Sequence, residues 1–203
     1  MGPMNRTDKK IITRKKLIKT ATKEFARNGY ARTNINEISL KAGYGKGTIY
    51  NYFQNKFSLF IAVVETTIAD LVSEIQKNIE DVDDPVEKLK TGIYTDFRYF
   101  EKNKAIAAVI LREGFSAEPK KQQEFIKAAS PAFEIVNHLI SDGMEKNLFR
   151  QDIDSFMATL LVIGMVENLV LMQDAMQSRF GKSEELAEMV IKAFIEGIQK
   201  IDS

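Results

Sequence analysis

The chain has 203 residues, no cysteine, one histidine and a net charge of +1. These values exclude disulfides, thiolate metal centres and histidine-cluster zinc sites, so neither a metal nor another cofactor is expected. The length admits one large domain, or a small domain joined to a larger one. The opening MGPMNRTDKK lacks the apolar core of a secretory signal. The one long uncharged apolar run, within 155–166, is too short to span a bilayer. A soluble, cytoplasmic protein with no membrane partner is expected.

Near-neutrality hides an asymmetry. Residues 1–56 carry 13 Lys and Arg against 3 Asp and Glu, whereas 57–203 carry 16 against 25. A basic head on an acidic body is the electrostatic footprint of a nucleic-acid binder whose body stays off the phosphates. A solvated basic tail would account for the early lysines, but not for the placement of Lys46 and Lys56.

The expected elements are all helical. The first spans about Asp8–Asn28, with Ile11, Leu17, Ile18, Ala21, Phe25 and Ala26 at helical spacing and Gly29 as its stop. Two short helices follow across Asn34–Lys56. Asn34 caps the first, with Glu37 in a capping-box-like position, and Ile35, Ile38, Leu40 and Ala42 form its apolar side. Gly43 marks a sharp turn. The second runs from about Lys46 to Phe53, with Ile49 and Phe53 facing inward. Lys46, Thr48, Tyr50, Asn51 and Tyr52 are left to point elsewhere, a dense set of phosphate and base partners.

A longer helix covers about Lys56–Glu80. After the acidic linker Asp81–Asp84, the next is capped by Asp84, begins at Pro85 and ends near Lys102. A shorter helix spans Lys104–Glu113, and 114–119 is a loop. From Lys120 to Lys146 the pattern is helical, and Pro131 either breaks it, with Ser130 as a fresh cap, or kinks it. Residues 154–177 are apolar nearly all round. The last helix, Ser183–Lys200, is amphipathic. A helix without a polar side needs cover on both sides. The expected solution is a homodimer through 154–200, with two helices from each subunit in a four-helix bundle; a central helix of a monomeric core is the alternative.

The residues Phe25, Gly29-Tyr30, Thr33, Ile38, Ala42-Gly43, Lys46-Gly47-Thr48-Ile49-Tyr50, Tyr52-Phe53 and Lys56 resemble the DNA-binding domain of the TetR (tetracycline-repressor) family of transcriptional regulators. The resemblance covers about the first third of the chain. It implies an all-α fold of about nine helices: a three-helix helix-turn-helix domain over 1–55 and a ligand-binding and dimerisation domain over 56–203. It also implies a homodimeric repressor released from a palindromic double-stranded operator by a small apolar or amphipathic ligand. Carried over by position, Lys46, Thr48, Tyr50 and Lys56 touch phosphates, and Tyr50 and Asn51 also reach bases. Gly47 permits close approach to the DNA, and Thr33 or Asn34 places a hydroxyl or amide on a phosphate. Positions 44 and 45 depart from the family pattern, with Tyr44 for a small aliphatic residue and Gly45 for serine. Tyr44 either reaches the groove or packs on the domain.

For the effector, Tyr94, Phe97, Arg98 and Phe115 are candidate pocket residues, as are Glu167 and Asn168, which interrupt an otherwise apolar helix. A charge there needs a partner, a ligand or water. The competing reading of Glu167 is an ion pair across the dimer or a solvent-facing edge. His138 receives no role. An enzyme on a helical bundle finds no thiol, histidine pair or phosphate-cradling loop to support it. A pure assembly module leaves Lys46 and Tyr50 unexplained. A regulator without a small-molecule effector remains the alternative to the repressor.

Overall fold

A computed structural model describes residues 5–114, 118–176 and 183–199, with side chains described for 5–114, 118–172 and 184–199. Among these residues the protein is helical, with a single isolated bridge between Phe149 and Gln199. The elements are α1 (Arg6–Arg32), α2 (Ile35–Lys41), a 3₁₀ helix (Lys46–Asn51), α3 (Lys56–Ile79), α4 (Pro85–Lys102), α5 (Lys104–Gly114), α6 (Pro119–Glu145), α7 (Ser155–Met176) and α8 (Ser183–Ile198).

The caps follow side-chain chemistry. Asn5 Oδ1 accepts from the Asp8 N–H at 2.8 Å, which starts α1 two residues before the expected position. Asp84 Oδ1 accepts from the Glu87 N–H at 2.9 Å, with Pro85 in the first turn. Gly29 (φ +75°) and Gly43 (φ +81°) take the left-handed conformation that ends α1 regularly and turns the chain after α2, where a side chain would be strained. α6 runs unbroken through Pro131, which is exposed, and Ser130 Oγ donates to Glu134 rather than capping a new start.

Close contacts divide the chain into two compact units. One comprises residues up to Thr67 together with Ala105–Ala128. The other comprises Ile68–Lys104 together with residues from Ala129 onward. In the first, Leu17, Ile18, Ala21, Phe25, Ile38, Ile49 and Phe60 form the core, and Phe25, Tyr30 and Phe60 stack edge-on or tilted with centroids 5.1–5.9 Å apart. Two residues counted inward from their spacing, Ile11 and Leu40, are exposed. In the second unit α4 packs on α7 and α8, burying Leu89, Ile93, Phe97, Val162, Val166, Val190 and Phe194.

α7 has no polar side, as its composition implies, yet only one side is covered. Ala158, Val162, Val166 and Val170 are buried, while Phe156, Met157, Leu160, Leu161 and Met172 are each 46–61% exposed. By length and composition the window Ser155–Met172 could cross a bilayer. It contains Glu167, and its exposed face continues into an apolar groove of about 390 Å³ formed with α8 by Met157, Leu161, Ala193 and Phe194. That is the geometry of a helix awaiting a second protein surface.

Candidate nucleic-acid interface and effector site

The helix-turn-helix is built outward from its buried residues. Ile38 and Ile49 are fully buried and hold α2 and the 3₁₀ helix together. Ser39, also fully buried, donates its hydroxyl to the Gly45 carbonyl at 2.7 Å and fixes the turn between them. Glu24 on α1 accepts from Lys41 at 2.6 Å and from Asn28 at 3.1 Å, which pins α2 to α1. No sequence pattern singled out Ser39 or Glu24. Their roles arise from pairings six and seventeen residues apart in sequence.

The second helix was expected to be an ordinary turn of α-helix over Lys46–Phe53. It is instead a 3₁₀ helix over Lys46–Asn51, with Thr48 N–H bonding Gly45 and Tyr52 N–H bonding Ile49, both at 3.0 Å. Gly45 offers no side-chain cap and Gly47 lowers helix propensity at the third position, so the tighter i+3 pattern persists. Lys46, Gly47, Tyr50 and Asn51 are exposed on it, with Thr48 half-buried. A side chain at Gly47 would meet nothing within 4 Å, so that face is open. Asn34 is exposed and caps α2 through Asn36, at 2.9 Å; Glu37 is exposed.

Three of the expected contacts are engaged inside the unit. Thr33 is buried, and its hydroxyl donates to the carbonyls of Gly29 (2.7 Å) and Glu24 (3.2 Å). Lys56 donates to the carbonyls of Tyr30, Ala31 and Thr33 at 3.0–3.2 Å, so all three of its N–H groups are used on the end of α1. Tyr44 is half-buried with the Lys16 ammonium 5.3 Å from its ring centre, so packing on the domain is the arrangement found.

The proposed effector residues separate. Tyr94 and Arg98 line a groove of about 440 Å³ with Glu74, Asn78, Thr91 and Thr95. Burial and then Glu188, to which Tyr94 bonds, raise the Tyr94 phenol above its ordinary value. Phe97 lies in the core, Asn168 is exposed, and Phe115 lies outside the described residues. Glu167 is largely buried and interacts with Asp96, which lines a narrow crevice between α4, α6 and α7 with Leu89, Gly92, Ile93, Val136, Leu139, Val162, Ile163 and Val166. Asp96 was not a candidate from the sequence. Its place amid Tyr94, Phe97 and Arg98 was visible, but not which of these pointed inward.

A basic head presenting Lys46, Tyr50 and Asn51 on a helix-turn-helix, joined to a helical body with an exposed apolar face, defines a DNA-binding regulator. The family model for bacterial regulatory proteins of the tetR family matches residues 17–63, and that for the C-terminal region of YsiA-like proteins matches 64–197. The chain belongs to the tetR family, with a YsiA-like C-terminal region. It is a transcriptional regulator that binds operator DNA and functions as a dimer. Among curated relatives, the fatty acid metabolism regulator protein of Bacillus subtilis is 21% identical over 178 residues, covering 86% of this chain and 92% of its own. Two solved structures share the fold. The fatty acid degradation regulator FadR of Bacillus halodurans has a TM-score of 0.80 at 22% identity, with 97% of each chain covered. FadR of Bacillus subtilis, in complex with stearoyl-CoA, has 0.81 at 20%, with 91% and 99% covered.

Proposed function

We propose that this protein is a cytoplasmic repressor, without catalytic activity of its own, released from a palindromic operator by a small molecule with an apolar body. Residues 1–55 serve DNA binding, and 56–203 serve effector binding and dimerisation. The observation that carries the reading is the exposed row Lys46, Tyr50 and Asn51 on a turn fixed from beneath by Ile49 and Ser39. Lys46 and Thr48 meet phosphates, Tyr50 and Asn51 reach base edges, Asn34 adds a contact at the start of α2, and Gly45 and Gly47 let the backbone approach. Lys56, Thr33 and Tyr44 shape the head from within. The relative solved with stearoyl-CoA favours an effector with a long apolar part. Such a ligand acts by preferring one separation of the two recognition elements, which must match about 34–36 Å or a multiple along DNA.

Selection of bound sequences from a random double-stranded DNA library tests this, with Lys46→Ala/Tyr50→Ala as control. A palindromic motif absent from the control is the expected result, and equal enrichment by both proteins would overturn the contact set. A regulator without an effector is the second reading, favoured by the crevice beside Asp96, whose free volume is only about 10 Å³.

A further inference from the structure

The crevice between α4, α6 and α7 contains two carboxyl groups for which DNA binding has no use. Asp96 Oδ1 is shut off from solvent and has no hydrogen-bond partner. Glu167, mostly buried on α7, lies close enough for its charge to act on Asp96. Burial, reinforced by Glu167, pushes Asp96 up to about 8, and burial pushes Glu167 up to about 7. Among the described residues no lysine, arginine or histidine forms an ion pair with either. Arg98, two residues from Asp96, is exposed and lines the other groove. The remaining walls of the crevice are apolar.

A buried acid without a partner costs on the order of 1–3 kcal/mol, and a second acid beside it adds to the cost. A positive charge relieves both at once, and apolar walls reward the hydrocarbon that carries it. We propose that the effector is an organic cation, an amine or quaternary ammonium on an apolar body, with its nitrogen seated against Asp96 and Glu167. The inference rests on the effector-release reading above and specifies its ligand. Free space of about 10 Å³ holds no more than one water, so the cation's body enters only as the helices part. A ligand that binds the parted arrangement alone is one that shifts a conformational equilibrium. An acyl-CoA, whose head is anionic, gains nothing from this pair.

The test is calorimetric binding to the full-length dimer of decyltrimethylammonium, 1-decanol and decanoyl-CoA, below micelle-forming concentrations, with wild type, Asp96→Asn and Glu167→Gln. The expected result is preference for the cation, a loss of about tenfold or more in each variant, and unchanged binding of the alcohol. Protons should be released as the cation binds wild type, detected by comparing buffers of different ionisation enthalpy. Failure of the cation to bind, equal binding of the alcohol or the acyl-CoA, or undiminished cation binding by both variants would overturn the site. Anisotropy of the selected operator separates the two readings. Carboxylate-dependent binding that leaves DNA bound would overturn release and keep the site. Release by a ligand indifferent to both variants would overturn the site and keep release.

Discussion

The ammonium of Lys56 sits 4.6 Å from the centre of the Tyr30 ring and donates to the Tyr30 carbonyl at 3.0 Å. The same group reaches the carbonyls of Ala31 and Thr33, so one cation from the start of α3 closes the end of α1. Lys56→Met keeps the hydrocarbon stem and removes those bonds. It is expected to destabilise the protein by about 1–3 kcal/mol, since charged hydrogen bonds to otherwise unpaired carbonyls are lost. Operator affinity should fall with its salt slope unchanged. Measured by denaturant unfolding and salt-dependent DNA binding, a flattened slope with unaltered stability would place Lys56 on a phosphate instead.

Lys46 provides the contrast. It is exposed on the 3₁₀ helix, so nothing in the fold depends on its charge. Lys46→Ala should leave the thermal midpoint within a degree or two, weaken binding to every DNA sequence alike, and reduce the magnitude of the log–log salt slope by about 1, as loss of one phosphate contact requires. An unchanged slope at reduced affinity would remove Lys46 from the phosphate contacts.

The comparison of Lys46 with Lys56 also shows what the sequence conveyed. Helix limits were legible because caps and stops are local: Asp84 with Pro85, Gly29 and Gly43 lie where their chemistry requires. The apolar character of α7 was legible too. What was not legible depends on partners far along the chain. Lys56 and Thr33 look like free polar residues until the end of α1 returns beside them. Asp96 has the same spacing signal as its neighbours, and only packing against α6 and α7 distinguishes it from the exposed Arg98. The 3₁₀ geometry likewise depends on a buried Ser39 holding the Gly45 carbonyl.

The buried acids give a pH dependence with a definite sign. Asp96 and Glu167 titrate at about 8 and about 7 in the folded chain, above the ordinary 3.8 and 4.5. The folded state therefore holds protons that the unfolded chain has released, and stability falls as pH rises. Their favourable contribution is complete below about pH 4 and is lost through pH 7–8. The local slope is about 1.4 kcal/mol per pH unit for each proton of difference. Thermal unfolding of wild type between pH 5 and 8 should show this fall, and Asp96→Asn/Glu167→Gln should flatten it. Parallel profiles for the two proteins would show that these groups are not the source.

The exposed side of α7 gives the last prediction. Leu161 is 61% exposed, on the side of α7 opposite the buried Val162 and Val166, and it lines the apolar groove shared with α8. In a single chain, a charge at that position costs little, because the side chain already meets water. In a dimer burying this face, the same charge is desolvated without a partner and costs several kcal/mol. Leu161→Lys should therefore fold with a nearly unchanged helical spectrum, sediment as a monomer at micromolar concentration and lose operator affinity, because two half-sites can no longer be read by one particle. A Leu161→Lys protein that remained dimeric would move the interface off this face. One that became monomeric yet bound the full operator as tightly would separate dimerisation from DNA recognition.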